Sequence, residues 1–177
     1  ANDAHAGEVE IIEDPSAKGG AFANMYEGTD TSYGKITNGK LHAVINSGSV
    51  ITFYHEDGRV LLKEHFRRLR DEESMPLNIM GREYSNGVGD NFRIVARFVA
   101  RKGEKIFGMG QYQQHELDLK GCMLELAQRN SQVSVPFYLS SIGYGFLWNN
   151  PGVGQVMFAN NGTEWVTESG KEIDYLV

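Results

Sequence analysis

Glycine-containing turns divide this chain into short apolar segments, and that division limits the possible folds more than any other feature of the sequence. The 177 residues include 21 glycines and only 4 prolines, and glycine is favoured where a tight turn needs a positive φ. Turn dipeptides recur from Asn38-Gly39, which predicts a type I′ turn, to Ser169-Gly170. Many short strands with turns at this spacing predict an all-β fold, a β-sandwich.

The clearest local prediction is a β-hairpin around Asp57-Gly58. The segments on both sides of this dipeptide are rich in apolar and β-branched residues, as strands are. A two-residue loop would place Glu56 opposite Arg59, as a pair of opposite charges, and Phe53 opposite Leu62, as an apolar pair.

Alternation of side chains predicts the faces of three further strands. Residues 91–101 are predicted to form a long strand with one core face and one mixed face. Residues 133–140 have one apolar face, and Pro136 within them indicates an edge strand or a bulge. The predicted strand at residues 143–148 places aromatic side chains on one side, which favours core packing. The faces in question are Phe92, Ile94, Ala96 and Phe98; Val133, Val135, Phe137 and Leu139; and Tyr144, Phe146 and Trp148.

Changes in composition along the chain suggest its organisation. Residues 1–32 have little periodicity and predict an amino-terminal arm or edge segment, whereas residues 33–177 form the sandwich domain. The charged run at residues 64–74 is compatible with one or two helical turns, but a solvent-exposed connection is the favoured interpretation. Residues 171–177 alternate like a strand that ends without a turn, so we expect the domain to be a fragment of a longer chain.

Charge and hydropathy exclude two classes of partner. The net charge is -6 and the basic residues form no sustained stripe, so nucleic acid is not an expected partner. The apolar runs are far shorter than the ~20 residues that cross a bilayer, so no membrane span is predicted. The single cysteine, Cys122, forbids an internal disulfide and favours the cytoplasm. Because the native amino terminus is not visible, a secreted or periplasmic location stays open.

The sequence offers no strong catalytic or cofactor motif of its own. The five histidines lack the spacing of a zinc site, so no metal is expected. Cys122 has no histidine nearby in sequence and is interpreted as a small buried residue. Gly108-Met109-Gly110 begins like a dinucleotide fingerprint, but the third glycine and the following helix are missing, so no cofactor is predicted. No carboxylate pair lies in an apolar setting that would suggest glycoside hydrolysis.

Several motifs within residues 105–151 nevertheless occur together in a specific order. They are a Gly-x-Gly-Gln segment at 108–111, the segments 118–122 and 128–130, a Pro-Phe strand at 135–141, and a Gly-Tyr-Gly-x-Leu-Trp strand at 143–148 followed by Asn149-Asn150-Pro151. Together they resemble the amino-terminal β-sandwich of family 31 of the glycoside hydrolases, which contains α-glucosidases and α-xylosidases. The residues in these motifs are more similar to those of bacterial α-xylosidase-like members than to those of animal digestive enzymes.

The resemblance implies a galactose-mutarotase-like supersandwich that precedes a (β/α)₈ barrel. In this family the barrel carries the catalytic aspartates of a retaining mechanism, and its Trp-x-Asp-Met-Asn-Glu segment is missing here. The chain is therefore expected to contain no catalytic residue and to be inactive alone. Its implied partners are an α-glycoside substrate and the barrel of the same chain.

The resemblance also implies candidate substrate-binding residues. Family sandwiches send a loop over the barrel mouth, where an Arg-Asp pair and a Thr two residues after the Asp can touch the sugar. The matching positions are Arg129, Asn130 and Gln132. Asn130 replaces a charged acceptor by an amide that both donates and accepts hydrogen bonds. We expect Arg129 and Asn130 on a projecting loop, although residues 124–132 contain enough apolar side chains to suggest a strand.

Two alternatives to a non-catalytic domain of a glycosidase stay open at this point. An independent carbohydrate-binding module would stack exposed aromatics such as Tyr112, Tyr144 and Trp148 on sugars, and a third possibility is a structural or assembly domain. A sandwich built to dock on a barrel should expose an apolar patch, and a homo-oligomer is a possible result of such a patch.

Overall fold

The computed structural model describes residues 8–11, 32–46, 48–69 and 77–177. These residues form two compact units, Ala1–Glu64 and His65–Val177. Within the described ranges the regular elements are all strands, and no helix there is long and apolar enough to cross a membrane. The domain boundary expected at residue 32 stays a prediction.

The first unit contains a five-stranded antiparallel sheet in the order β1-β2-β3-β4-β5. β1 is its edge strand and lies in the segment 1–32, whose other residues, apart from Ser32, lie outside the described ranges. The strands are β1 (Glu8–Ile11), β2 (Ser32–Asn38), β3 (Leu41–Asn46), β4 (Ile51–His55) and β5 (Val60–Lys63).

The hairpin of β4 and β5 confirms one predicted pair and corrects the other. Phe53 lies opposite Leu62, as expected. The predicted pair of Glu56 with Arg59 is wrong, because the His55 N–H donates to the Arg59 carbonyl at 3.0 Å and residues 56–58 form a three-residue loop. Gly58 takes a φ of 84°, which is typical of a hairpin loop closed by a glycine bulge.

The turn at Asn38-Gly39 also differs from its prediction. Asn38 pairs with Leu41, so the two loop residues are Gly39 and Lys40. Gly39 has a φ of 58°, whereas Lys40 is not in the left-handed region. A type I′ turn needs a positive φ at both central residues, so the predicted turn type is wrong although the turn itself is present.

Part of the charged run at residues 64–74 is not exposed. Glu64 is only 2% accessible, and its carboxylate accepts a hydrogen bond from the Ile51 N–H at 3.0 Å. The strands β6 (Arg67–Leu69) and β7 (Leu77–Ile79) then pair with each other. The prediction of an exposed connection is therefore wrong for Glu64, while residues 70–76 lie outside the described ranges.

Besides the β6-β7 pair, the second unit contains a sandwich of two antiparallel sheets. One has the order β10-β12-β13-β16 and the other the order β11-β14-β15-β9-β8. The strands are β8 (Arg82–Asn86), β9 (Phe92–Phe98), β10 (Ile106–Gln111), β11 (Met123–Leu126), β12 (Val133–Ser140), β13 (Tyr144–Trp148), β14 (Gly154–Phe158), β15 (Thr163–Gly170) and β16 (Tyr175–Leu176).

Aromatic side chains from both sheets meet in the core of this sandwich. Trp165 of β15 stacks on Phe146 and Trp148 of β13, with ring centroids 5.1 and 5.6 Å apart. Phe98 of β9 packs edge-on against Phe146 at 5.3 Å. The all-β sandwich is confirmed, as is the core position of Tyr144, Phe146 and Trp148. Because aromatic rings bury large areas, this cluster supplies much of the packing between the sheets.

Strand β12 has the predicted alternation of side chains. Its apolar face, however, is exposed, whereas hydrophobicity alone would place that face in the core. Tyr138 and the two serines Ser134 and Ser140 are buried, whereas the whole apolar face points outward. That face consists of Val133, Val135, Phe137 and Leu139, all of them exposed.

Hydrogen bonds around Glu104 explain how hydroxyl groups are accommodated in the core. The Ser140 and Tyr144 hydroxyls donate to Glu104 Oε1 at 2.6 and 3.0 Å. The Tyr138 and Tyr144 hydroxyls lie 3.0 Å apart. Burial is the main cause that raises the pKa of both tyrosines, so each keeps its proton and can donate it. Buried polar groups that find partners avoid the desolvation penalty of unpaired ones.

The bulge predicted at Pro136 is present. Gly108 pairs with Tyr138 and Gly110 pairs with Ser134, so three residues of β12 oppose one residue of β10. Pro136, the middle of the three, therefore does not need to donate to the ladder. The backbones approach so closely that a Cβ on Gly110 would lie 2.1 Å from the Val133 carbonyl oxygen.

We predict that Gly110→Ala destabilises the fold much more than Gly103→Ala. Both glycines have a positive φ, but a Cβ at Gly103 meets nothing within 4 Å. Each variant therefore loses roughly 1–2 kcal/mol from left-handed strain, and only Gly110→Ala adds a clash with β12. Urea unfolding measures the difference; equal losses would contradict the close approach.

Candidate functional site

The loop of residues 127–132 carries Arg129, Asn130 and Gln132. It joins β11, in the five-stranded sheet of the sandwich, to β12, in the four-stranded sheet. The Gln132 N–H donates to the Arg129 carbonyl at 3.0 Å, so Asn130 and Ser131 form a two-residue turn at the loop tip. Arg129 and Asn130 are exposed and Gln132 is half-buried. The structure thus places Arg129 and Asn130 in a loop, as expected.

Arg129 is held by a carboxylate that sequence reasoning did not identify. Its Nε and one Nη donate to the two carboxylate oxygens of Glu125 at 2.6 and 2.5 Å. This pairing is the main cause that lowers the pKa of Glu125 and raises that of Arg129. Two of the five guanidinium N–H donors are thereby used, which leaves three for another acceptor.

The base of the loop is fixed by Gln128 and Tyr112. The Gln128 amide donates to the Ser134 carbonyl at 2.7 Å and accepts from the Ser134 N–H at 3.1 Å. The Tyr112 hydroxyl lies 2.8 Å from both the Glu125 carbonyl and the Ser134 hydroxyl. The Gln128 side chain thus pairs with both backbone groups of Ser134, a role that no local sequence signal predicts.

A cleft of about 810 Å³ opens beside the loop base. Leu126, Gln128 and Pro136 are among its lining residues, and Glu172 and Asp174 add carboxylates. Asp174 is engaged, because its carboxylate accepts from the Asn149 amide at 2.5 Å. The cleft is open and contains both polar and apolar groups, so it can accommodate a polar ligand or another part of a protein.

The aromatics suggested for sugar stacking are not available in this structure. Tyr144 and Trp148 are buried, and the Trp148 indole N–H donates to the Thr167 hydroxyl at 2.9 Å. Tyr112 is half-buried and tied to the loop base. The alternative of an independent binding module therefore loses the residues on which it rested.

Two further candidates from the sequence are the cysteine and a metal site. Cys122 is half-buried and not fully buried as the sequence suggested. Burial, together with the nearby carboxylates of Glu116 and Asp118, raises its pKa, which does not favour a reactive thiolate. Within the ranges that the structure describes, no group of three or more His, Cys, Asp or Glu residues could hold a metal ion.

Comparisons with known proteins agree on one family. No protein-family model matches the chain. An uncharacterized family 31 glucosidase, ORF2 of Pseudescherichia vulneris, is 45% identical over 153 residues, which are 80% of this chain and 29% of that protein. Alpha-xylosidase A of Aspergillus niger is 28% identical over 184 residues, which are 96% of this chain and 24% of that protein.

A solved structure extends the agreement to the fold. The crystal structure of a family 31 α-xylosidase from a soil metagenome, complexed with xylose, covers 96% of this chain with a TM-score of 0.77 and 40% identity. The described sandwich is thus a β-sandwich homologous to the family 31 glycoside hydrolases. It fits the amino-terminal sandwich domain that the sequence motifs indicated, and it spans only 24% of the α-xylosidase chain.

We predict that Gln128→Ala destabilises the sandwich by about 1–3 kcal/mol, because the partly buried N–H and carbonyl of Ser134 lose their partner. Arg129→Ala should change stability little, since its ion pair is solvent-exposed. Parallel urea titrations of the two variants test this contrast. A larger loss for Arg129→Ala would show that the ion pair, not the amide bridge, holds the loop.

Proposed function

We propose that this chain is the non-catalytic sandwich domain of a retaining α-glycosidase, an α-xylosidase or α-glucosidase. In this proposal it packs on the catalytic barrel of the same polypeptide and lends the loop 127–132 to the substrate site. The observation that carries the proposal is that 96% of the chain superposes on about a quarter of an α-xylosidase. The two named activities among the curated relatives reported above, glucosidase and α-xylosidase, agree in reaction class.

The chemistry of the loop tip supports the second part of the proposal. Sugar hydroxyls both donate and accept hydrogen bonds, and the exposed amide of Asn130 offers both functions. The donors that Arg129 has left after binding Glu125 can reach a hydroxyl oxygen. Such a loop would recognise the sugar on the leaving-group side of the scissile bond, where an aryl group makes fewer polar contacts than a second sugar.

The assay that tests the proposal uses the full-length product of the gene that encodes this chain. We predict hydrolysis of nitrophenyl α-xyloside or α-glucoside by that product and none by residues 1–177 alone, because the chain lacks the Trp-x-Asp-Met-Asn-Glu segment of the barrel and a retaining mechanism needs two positioned carboxylates. Turnover by the purified 177-residue chain, or a full-length product without a barrel, would contradict the proposal.

Asn130→Ala in the full-length enzyme should raise KM for a disaccharide by about fivefold relative to an aryl glycoside, which corresponds to the ~1 kcal/mol of one hydrogen bond. Asn160→Ala removes an amide from another exposed turn and serves as the control, with both substrates unchanged. Equal effects of Asn130→Ala on the two substrates would indicate that Asn130 only stabilises the turn.

A further inference from the structure

The outer side of the four-stranded sheet carries a continuous apolar surface, called here the apolar face. Neighbouring strands place its members side by side: Leu139 lies opposite Phe107, and Leu147 lies opposite both Phe137 and Leu176. Directly opposed side chains in an antiparallel sheet have Cβ atoms about 5 Å apart, so they touch. The face consists of Phe107, Val133, Val135, Phe137, Leu139, Leu147 and Leu176.

The apolar face differs from the outer side of the other sheet. There ion pairs lie between partly exposed side chains, Arg97 with Glu164 at 2.6 Å and Arg93 with Glu168 at 3.3 Å, and the paired Met123 and Met157 are its exposed apolar members. None of the seven side chains of the apolar face is charged, and Leu139 is 54% accessible. The solvated side of an antiparallel sheet normally carries polar residues, so a contiguous apolar surface of this kind indicates an interaction site.

The shape of the apolar face is suited to packing against another protein surface. A Cβ at Gly145 would come within 3.0 Å of Cε2 and Cζ of Phe137, so the phenyl ring lies close against the glycine backbone. The ring therefore covers the strand instead of projecting from it. Leu139 and Leu147 lie on either side, which gives a broad surface without a deep pocket and matches a protein surface better than a small ligand.

We propose that the apolar face is the surface through which the sandwich docks on the catalytic barrel of the longer protein; this rests on the proposed function. The α-xylosidase that superposes on 96% of this chain has about three quarters of its own chain outside the matched region. A second copy of the sandwich could also cover the face. A barrel in the same polypeptide is present at high effective concentration, which favours it over a second copy.

The test measures the accessibility of single positions in the full-length protein. Leu139→Cys and Val135→Cys place a thiol on the apolar face, and Met157→Cys places one on the outer side of the other sheet, where Met157 is 40% accessible. Each is made with Cys122→Ser, and alkylation of the new thiol is followed by peptide mass spectrometry. We expect both thiols of the apolar face to react about tenfold or more slowly than the Met157→Cys thiol in native protein, and equally fast in denaturant.

Each outcome decides the proposal. Slow labelling of both positions that persists on dilution supports docking within one polypeptide. Equal rates at all three positions overturn it, and protection that disappears on dilution overturns it in favour of a second copy. Hydrolysis of nitrophenyl α-xyloside or α-glucoside is measured separately. An active enzyme with unprotected thiols refutes the docking surface alone, and a protected but inactive protein refutes the proposed function alone.

Discussion

The architecture of the sandwich depends on one buried carboxylate, Glu104. By accepting hydrogen bonds from Ser140 and Tyr144, and indirectly fixing Tyr138, it allows hydroxyl groups to occupy the core side of β12 and β13. Lys120 lies 3.8 Å from the second carboxylate oxygen and partly balances its charge. Without such partners, hydroxyls in the core would each carry a desolvation penalty. Because successive side chains of a strand point to opposite faces, the apolar side chains of β12 then point outward.

Much of the fold was predictable from the sequence. Alternation predicted a strand at residues 91–101, and the structure has β9 there, although it ends at Phe98 and leaves Phe92 exposed instead of in the core. Local periodicity also predicted the core position of Phe146 and Trp148, and the missing N–H of proline predicted the bulge at Pro136. The orientation of β12 was not predictable in this way. It depends on Glu104, which is 36 residues away in sequence from Ser140, and alternation alone does not say which of two faces is buried.

The candidate site shows a similar division. The motif resemblance located the loop 127–132 and its tip residues, because the family pattern aligns with the sequence there. It did not identify Glu125, which engages Arg129, or Gln128, whose amide pairs with the backbone of Ser134. Both are long-armed polar residues whose partners are set by the path of the chain between two sheets, and residue type alone does not define that path.

The crossing of this loop from one sheet to the other has a mechanical consequence. Its two ends belong to different layers, so a change in the separation or angle of the layers moves the tip even if no residue of the loop is altered. Substitutions at the Trp165–Phe146 contact, which spaces the layers, are therefore able to shift Asn130 from a distance. The position of the loop tip, and any specificity that depends on it, would then be determined by the distance between the two sheets.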